Sequence, residues 1–296
     1  MEAARALLAN AKRRSLALPS RGIEIALLDF GGEGPLALLH HATGFCKGVW
    51  APVAQRLRAR FRVIAMDARG HGDSSQLEGA AAYAWPEFAR DLVAVVEALA
   101  PECGPVALGM GHSFGGTAML GAGRTRPDLM QRLVLVDPVV PQPASLFPPD
   151  ALARPNALAE GARRRRTEWP SLAEARASWG QRSVFAPWRP EALDLYALDG
   201  LRERADGSVT LKCPSAVEAA IFDQGRDLDV ASLARDHPVA TLWIRAARGN
   251  FPSEWCRSLA AQMRACEYRD LDVGHLVVME QPELVAEEAL RFAALT

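Results

Sequence analysis

The sequence predicts an α/β fold in which a mostly parallel sheet is covered by helices and interrupted by a helical insertion. Three observations lead there. Short apolar, β-branched runs alternate with helical patterns up to residue 138 and again after 235, the rhythm of strand–helix–strand units. Between 139 and 235 that rhythm breaks: prolines gather at 138, 141, 143, 148 and 149, and short helical patterns rich in Arg and Trp follow. Finally, Gly111-His112-Ser113-Phe114-Gly115 joins an apolar run to a segment suited to start a helix, the layout of a nucleophile elbow.

Taken in order, the first dozen residues read as a short surface helix. Ile23–Phe30 is a strand ending at Gly31-Gly32, and Leu36–His40 is a second. Pro52–Arg60 reads as a helix, with Pro52 in the first turn, where a missing N–H breaks no helical bond. Arg62–Asp67 is a strand running into the turn-rich Asp67–Ser74 loop. Trp85–Ala100 carries Phe88, Leu92, Val95, Val96 and Leu99 at three-and-four spacing, an amphipathic helix with Pro101 expected just past its end. Val106–Met110 is the strand before the elbow, a helix follows Ser113, and Arg132–Val136 is a strand ending at Asp137-Pro138. No convincing strand then occurs before Val239–Ile244, which is followed by a helix near Ser253–Arg264, a strand near Cys266–Asp272 and a closing helix from Pro282. The expected division is a core of residues 1–138 and 236–296 carrying a cap, or lid, of 139–235.

Composition narrows the function classes. The chain has 296 residues, 49% of them hydrophobic, enough for one large α/β domain with an insertion. Lys plus Arg number 34 against 35 Asp plus Glu, so the net charge of −1 exerts no bulk pull on nucleic acid or anionic lipid. Five scattered cysteines with no C-x-x-C spacing read as reduced thiols in a cytosolic protein. The N-terminal basic cluster Lys12-Arg13-Arg14 follows the apolar residues, the reverse of a secretory signal, and no apolar run approaches a membrane span. A cytoplasmic location without nucleic-acid or membrane partners is expected, and a homo-oligomer remains open.

The elbow carries the chemistry. The chain must turn so sharply at Ser113 that side chains on Gly111 and Gly115 would collide, and the serine is expected in a strained conformation. A serine hydroxyl needs a base to take its proton. His275, just after the last strand, is the expected base, because the carboxyl ends of parallel strands gather at one edge of a sheet. The remaining histidines have other readings: His112 packs inside the elbow, His40 and His41 shape the backbone after a strand, His71 belongs to a turn-rich loop and His237 to a linker. The carboxylate that orients the imidazole is expected at Asp137. The strand Val239–Ile244 leads into Arg245-Ala246-Ala247-Arg248-Gly249-Asn250, which holds no acid, and Asp272 reads as a strand-end turn residue. For the oxyanion hole, one donor is the N–H of Phe114. The second comes from the loop His41-Ala42-Thr43-Gly44-Phe45, where Phe45 is preferred and Thr43 also qualifies.

With Gly111–Gly116, the Asp67-x-Arg69-Gly70-His71-Gly72-Asp73-Ser74 loop and the segment from Gly274-His275 to Pro282 in place, the chain resembles the α/β-hydrolase superfamily along nearly its whole length. The His-Ala-Thr-Gly-Phe loop and the acid at Asp137 look like a subgroup of mostly uncharacterised bacterial hydrolases. The resemblance implies an eight-stranded sheet, a helical cap between the sixth and seventh strands, and neither metal nor organic cofactor. A serine nucleophile argues against the epoxide hydrolases and haloalkane dehalogenases of the superfamily. The expected activity is cleavage of a small-molecule acyl substrate, an ester, lactone or thioester. The same triad could instead serve carbon–carbon bond hydrolysis, perhydrolysis or acyl transfer, and a ligand receptor on a hydrolase scaffold is the non-enzymatic alternative. Within the cap, Trp169, Trp179, Trp188, Phe185 and Tyr196 are expected mainly to pack the lid on the core. At most two of Arg163-Arg164-Arg165-Arg166 could face a pocket together.

Overall fold

In the computed structural model, which describes residues 1–148, 150, 154–225 and 228–294, eleven named strands are β1 (Lys12–Leu18), β2 (Ile23–Gly31), β3 (Leu36–His40), β4 (Arg62–Met66), β5 (Val106–His112), β6 (Arg132–Val136), β7 (Glu168–Trp169), β8 (Leu201–Glu203), β9 (Val209–Leu211), β10 (Ala240–Arg248) and β11 (Cys266–Gly274). Pro149 of the proline cluster lies outside the described residues. Eight strands form one sheet in the order β1-β2-β4-β3-β5-β6-β10-β11. Pairing is antiparallel at β1–β2 and β2–β4 and parallel from β4 to β11. This is the eight-stranded, mostly parallel α/β-hydrolase sheet. Strands β3 and β5 are buried along their whole length, which is why they read as continuous apolar runs without alternation.

The order of the strands positions the site. From β3 the chain crosses to β4 on one side, whereas β5 lies on the other. A crevice opens where the winding reverses, at the carboxyl ends of β3 and β5. His40 of β3 is in register with Gly111 of β5, so the His41–Phe45 loop and the elbow leave the sheet side by side.

Helices α1 (Glu2–Ala9), α2 (Ala51–Leu57), α3 (Trp85–Cys103) and α4 (Phe114–Thr125) accompany the first half of the sheet. Three features depart from expectation. Strand β1 was unforeseen because it is a largely exposed, cationic edge strand, the kind of edge that resists pairing with another chain. Helix α3 continues through Pro101 to Cys103, since a proline in the last turn removes one helical bond only; Gly104, at φ 72°, then closes the helix with its N–H on the Ala100 carbonyl. The insertion contains helices Ala157–Arg164, Leu172–Gly180, Pro190–Gly200 and Ser215–Gln224, but also an antiparallel sheet in the order β7-β9-β8. Strands of two or three residues are too short to leave a period in the sequence. Trp169, Trp179, Trp188 and Tyr196 share one apolar cluster with Trp50, Ala51 and the core strands, so the insertion shares its hydrophobic interior with the sheet.

Candidate active site

Ser113 stands between β5 and α4 at φ 54°, ψ −120°, a region L-residues avoid because the side chain crowds the backbone. The cause is visible at its flanks. A Cβ on Gly111 would lie 2.3 Å from the Gly115 carbonyl oxygen, and one on Gly115 would lie 2.5 Å from that of His40. Only hydrogens fit there, and the strain is held by the Ser113 N–H on the Val136 carbonyl at 2.9 Å.

Three side chains converge at this point. His275, directly after β11, has Nε2 3.0 Å from Ser113 Oγ and Nδ1 2.6 Å from Asp137 Oδ2. A carboxylate only accepts, so Nδ1 carries the proton and Nε2 is free to accept from the serine. Asp137 follows β6, is 1% exposed, and adopts φ 41°. Its N–H binds the Ile244 carbonyl at 2.7 Å and its Oδ1 accepts from the Ala246 N–H at 3.0 Å, which locks it onto β10. Asp272 lies apart: its side chain is 86% exposed and pairs with Arg248. His112, buried beneath the elbow, donates from Nε2 to the His275 carbonyl at 2.7 Å. Burial, together with the neighbouring His275, pushes its pKa down to about 3, so it is a neutral strut for the loop that carries His275.

The loop after β3 is held by histidines. His41 donates from Nδ1 to the Ala42 carbonyl at 2.7 Å and accepts the Ala68 N–H at 3.0 Å. His71 donates to the Arg69 carbonyl and accepts the Gly44 N–H, each at 3.0 Å. Burial lowers the pKa of His40 and of His71 to about 4. Below the loop, fully buried Lys47 reaches Asp67 at 2.6 Å, Asp73 at 2.9 Å and Asp199 at 3.4 Å. The Asp67–Ser74 loop is thus scaffolding, and Asp199 ties it to the insertion. Of the two residues expected as second oxyanion donor, Phe45 is already engaged: its N–H binds the Ala42 carbonyl at 3.2 Å and its ring packs on Trp188 and Tyr196. Thr43 instead borders the cavity over the serine. The Phe114 N–H heads α4, where helical N–H groups have no intrahelical carbonyl.

That cavity, about 260 Å³, is bordered by Ser113, His275, Thr43 and Asn250, and otherwise mainly by apolar side chains, among them Trp85, Val139, Pro141, Leu158, Phe222 and Phe251. Leu158 and Phe222 come from the insertion. Trp85 is held by its indole N–H on the Ile221 carbonyl at 2.9 Å, and nothing in its sequence context signals a site residue. A larger cavity of about 650 Å³, against Thr117, Gly121 and Leu233, includes neither Ser113 nor His275. Trp169, Trp179, Phe185 and Tyr196 line a neighbouring cavity of about 380 Å³ with Arg165 and Arg166; Arg163 and Arg164 face outward onto Glu160. Among the described residues, no group of three or more His, Cys, Asp or Glu side chains is arranged to hold a metal, and no helix is long and apolar enough to cross a membrane.

Residues 37–288 match the profile of the Alpha/beta hydrolase family. The chain is 35% identical over 122 residues to a 2-(acetamidomethylene)succinate hydrolase of Mesorhizobium japonicum, a match covering 40% of this chain and 42% of that protein. It is 34% identical over 105 residues to a pimeloyl-[acyl-carrier protein] methyl ester esterase of Aliivibrio salmonicida, covering 36% of each. Both matches span about two fifths or less of the relatives' length. Among solved structures, an E-2-(acetamidomethylene)succinate hydrolase superposes with a TM-score of 0.80 at 23% identity, covering 95% of this chain and 98% of that one. A thioesterase domain from the curacin biosynthetic pathway superposes at 0.73 with 22% identity, covering 95% and 99%. At such identities the likeness is one of fold.

Proposed function

The chain belongs to the alpha/beta hydrolase family, whose profile spans residues 37–288, and we propose that it is a serine hydrolase that cleaves a carboxylic ester, lactone or thioester through an acyl-serine intermediate. The observation that carries this reading is the continuous hydrogen-bonded line Ser113–His275–Asp137, at 3.0 and 2.6 Å. Ser113 Oγ attacks the acyl carbon while His275 Nε2 takes its proton. Asp137 keeps the imidazole in the required tautomer and stabilises it once charged. The carbonyl oxygen, now an oxyanion, is received by the Phe114 N–H and the Thr43 N–H; each such donor is worth on the order of a hundred- to a thousandfold in rate. Collapse expels the leaving group, which receives its proton from Nε2. Water then attacks the acyl-serine, giving a proton to the same nitrogen; the bond to Ser113 Oγ breaks as Nε2 returns that proton to the serine, and the acid is released.

Relatives and fold neighbours carry names covering succinate derivatives, a methyl ester, a carbamate and a thioester-cleaving domain. Those names support hydrolysis in general and leave the bond cleaved here to the site itself. Residues 139–235, which contribute Leu158 and Phe222 to the cavity wall, serve in this reading as its lid. The test is a panel of esters, lactones and thioesters run on wild type and Ser113→Ala together. Turnover of at least one class by wild type, abolished in the variant, is expected. Equal turnover by the variant would remove Ser113 from its role.

A further inference from the structure

One arginine of the Arg163–Arg166 run turns inward. Arg165 is hydrogen-bonded to Glu218 as an ion pair, with side-chain exposures of 18% and 12%, and donates to the Tyr196 hydroxyl at 3.1 Å. Tyr196 in turn donates to the Gly44 carbonyl at 3.0 Å. A Cβ on Gly44 would lie 2.6 Å from Glu218 Oε1 and 3.4 Å from an Arg165 guanidinium nitrogen. The pair therefore rests against the residue next to Thr43. Leu158 and Phe222 border both the cavity that holds this pair and the one over Ser113, so the two spaces adjoin.

A half-buried arginine beside an acyl-binding cavity would ordinarily receive a carboxylate through paired hydrogen bonds. Here the protein supplies that carboxylate itself. Among the described residues, the polar groups over Ser113 are Thr43, Asn156, Asn250 and His275, and no Lys or Arg lines that cavity. A charged acyl group entering that space would lose its hydration without gaining a counter-charge from these described side chains. Arg166 and Arg182 also border the outer cavity. Both are exposed, and Arg166 lies over the Trp169 ring while donating to the Glu168 carbonyl, so solvent screens them.

We propose that Glu218 is a specificity-determining residue: by cancelling Arg165 it restricts the site to esters whose acyl group is uncharged and apolar. The cavity over Ser113, about 260 Å³, holds roughly eight non-hydrogen atoms at a water's share of volume each. The proposal rests on the serine-hydrolase reading above.

The test compares p-nitrophenyl pentanoate with mono-p-nitrophenyl glutarate, esters of equal acyl length in which only the second carries a carboxylate. The readout is the ratio of their kcat/KM values at low ionic strength. Wild type is expected to favour the neutral ester by at least about tenfold, the cost of one uncompensated charge near a protein surface. Glu218→Gln frees the guanidinium and lowers the ratio by about tenfold; Arg165→Gln leaves an extra anion and raises it. The double variant, neutral again, returns the ratio to within about threefold of wild type. A merely structural role would slow both esters together and leave the ratio fixed. A wild-type ratio near one, or a ratio unmoved by Arg165→Gln, overturns the proposal; that arm stands even if Glu218→Gln does not fold. Failure of a fluorophosphonate to label Ser113 would mark failure of the hydrolase reading itself, whereas intact labelling with an unmoved ratio refutes this proposal alone.

Discussion

Asp137→Asn perturbs one atom and separates charge from shape. Asparagine tolerates the φ of 41° at this position, and its Oδ1 can still accept the Ala246 N–H that lies 3.0 Å from the aspartate. What changes is the face toward His275. An amide NH₂ now meets Nδ1 across a gap of 2.6 Å, so Nδ1 must accept and the imidazole proton moves to Nε2. A protonated Nε2 cannot take the Ser113 proton. In a triad of this kind the wrong tautomer costs about 10⁴ in kcat, which is about 5.5 kcal/mol of barrier. The assay is steady-state hydrolysis of a neutral p-nitrophenyl ester, with a thermal melt to show that the fold survives. A kcat within about tenfold of wild type in a folded variant, far short of the expected loss, would refute the assignment of Asp137.

Buried neutral histidines should make the fold acid-sensitive. His40 and His71 titrate near 4 and His112 near 3 in the folded chain, against about 6.5 when unfolded. Their folded pKa values are depressed, so the unfolded chain binds the extra protons: stability is fully present above about 6.5 and falls as pH drops toward the folded values. At pH 5 the loss is about 2 kcal/mol per histidine, read as a falling urea midpoint between pH 7.5 and 5; a flat midpoint would contradict it. Gly111→Ala drives a Cβ to 2.3 Å from the Gly115 carbonyl oxygen, so a loss of about 1–3 kcal/mol with collapse of ester turnover is expected in melts and rates; a fully active variant would refute the steric reading. His112→Ala removes the donor to the His275 carbonyl, 2.7 Å away. About 1–3 kcal/mol of stability and roughly tenfold in kcat/KM should be lost, and an unchanged kcat/KM would show that His275 needs no such strut.

What could be read in advance followed from local chemistry. Strands β3 to β6 were legible because a strand covered on both faces must be apolar throughout; Ser113 and Asp137 stood out because each follows such a strand, and His275 because it follows the last strand of the sheet. The residues that failed to announce themselves act through tertiary geometry. Strand β1 hides behind exposed Lys12 and Arg13 and half-buried Arg14, whose charges erase the apolar pattern of an interior strand. The sequence preferred Phe45 over Thr43, and the turn that engages the Phe45 N–H with Ala42, which argues for the opposite order, leaves no local signal. The Arg165–Glu218 pair joins residues 53 apart in the chain, and the acid half carries no motif. Lys47, buried among three aspartates, looks in sequence like any surface lysine.

Treatment of the wild-type chain with a fluorophosphonate, followed by intact-mass and peptide mass spectrometry, asks whether the hydroxyl 3.0 Å from His275 Nε2 is an activated nucleophile. One adduct per chain, on the peptide containing Ser113 and absent from Ser113→Ala, is expected. An unlabelled wild type, or an adduct that persists in the alanine variant, would contradict acyl-serine chemistry at this site.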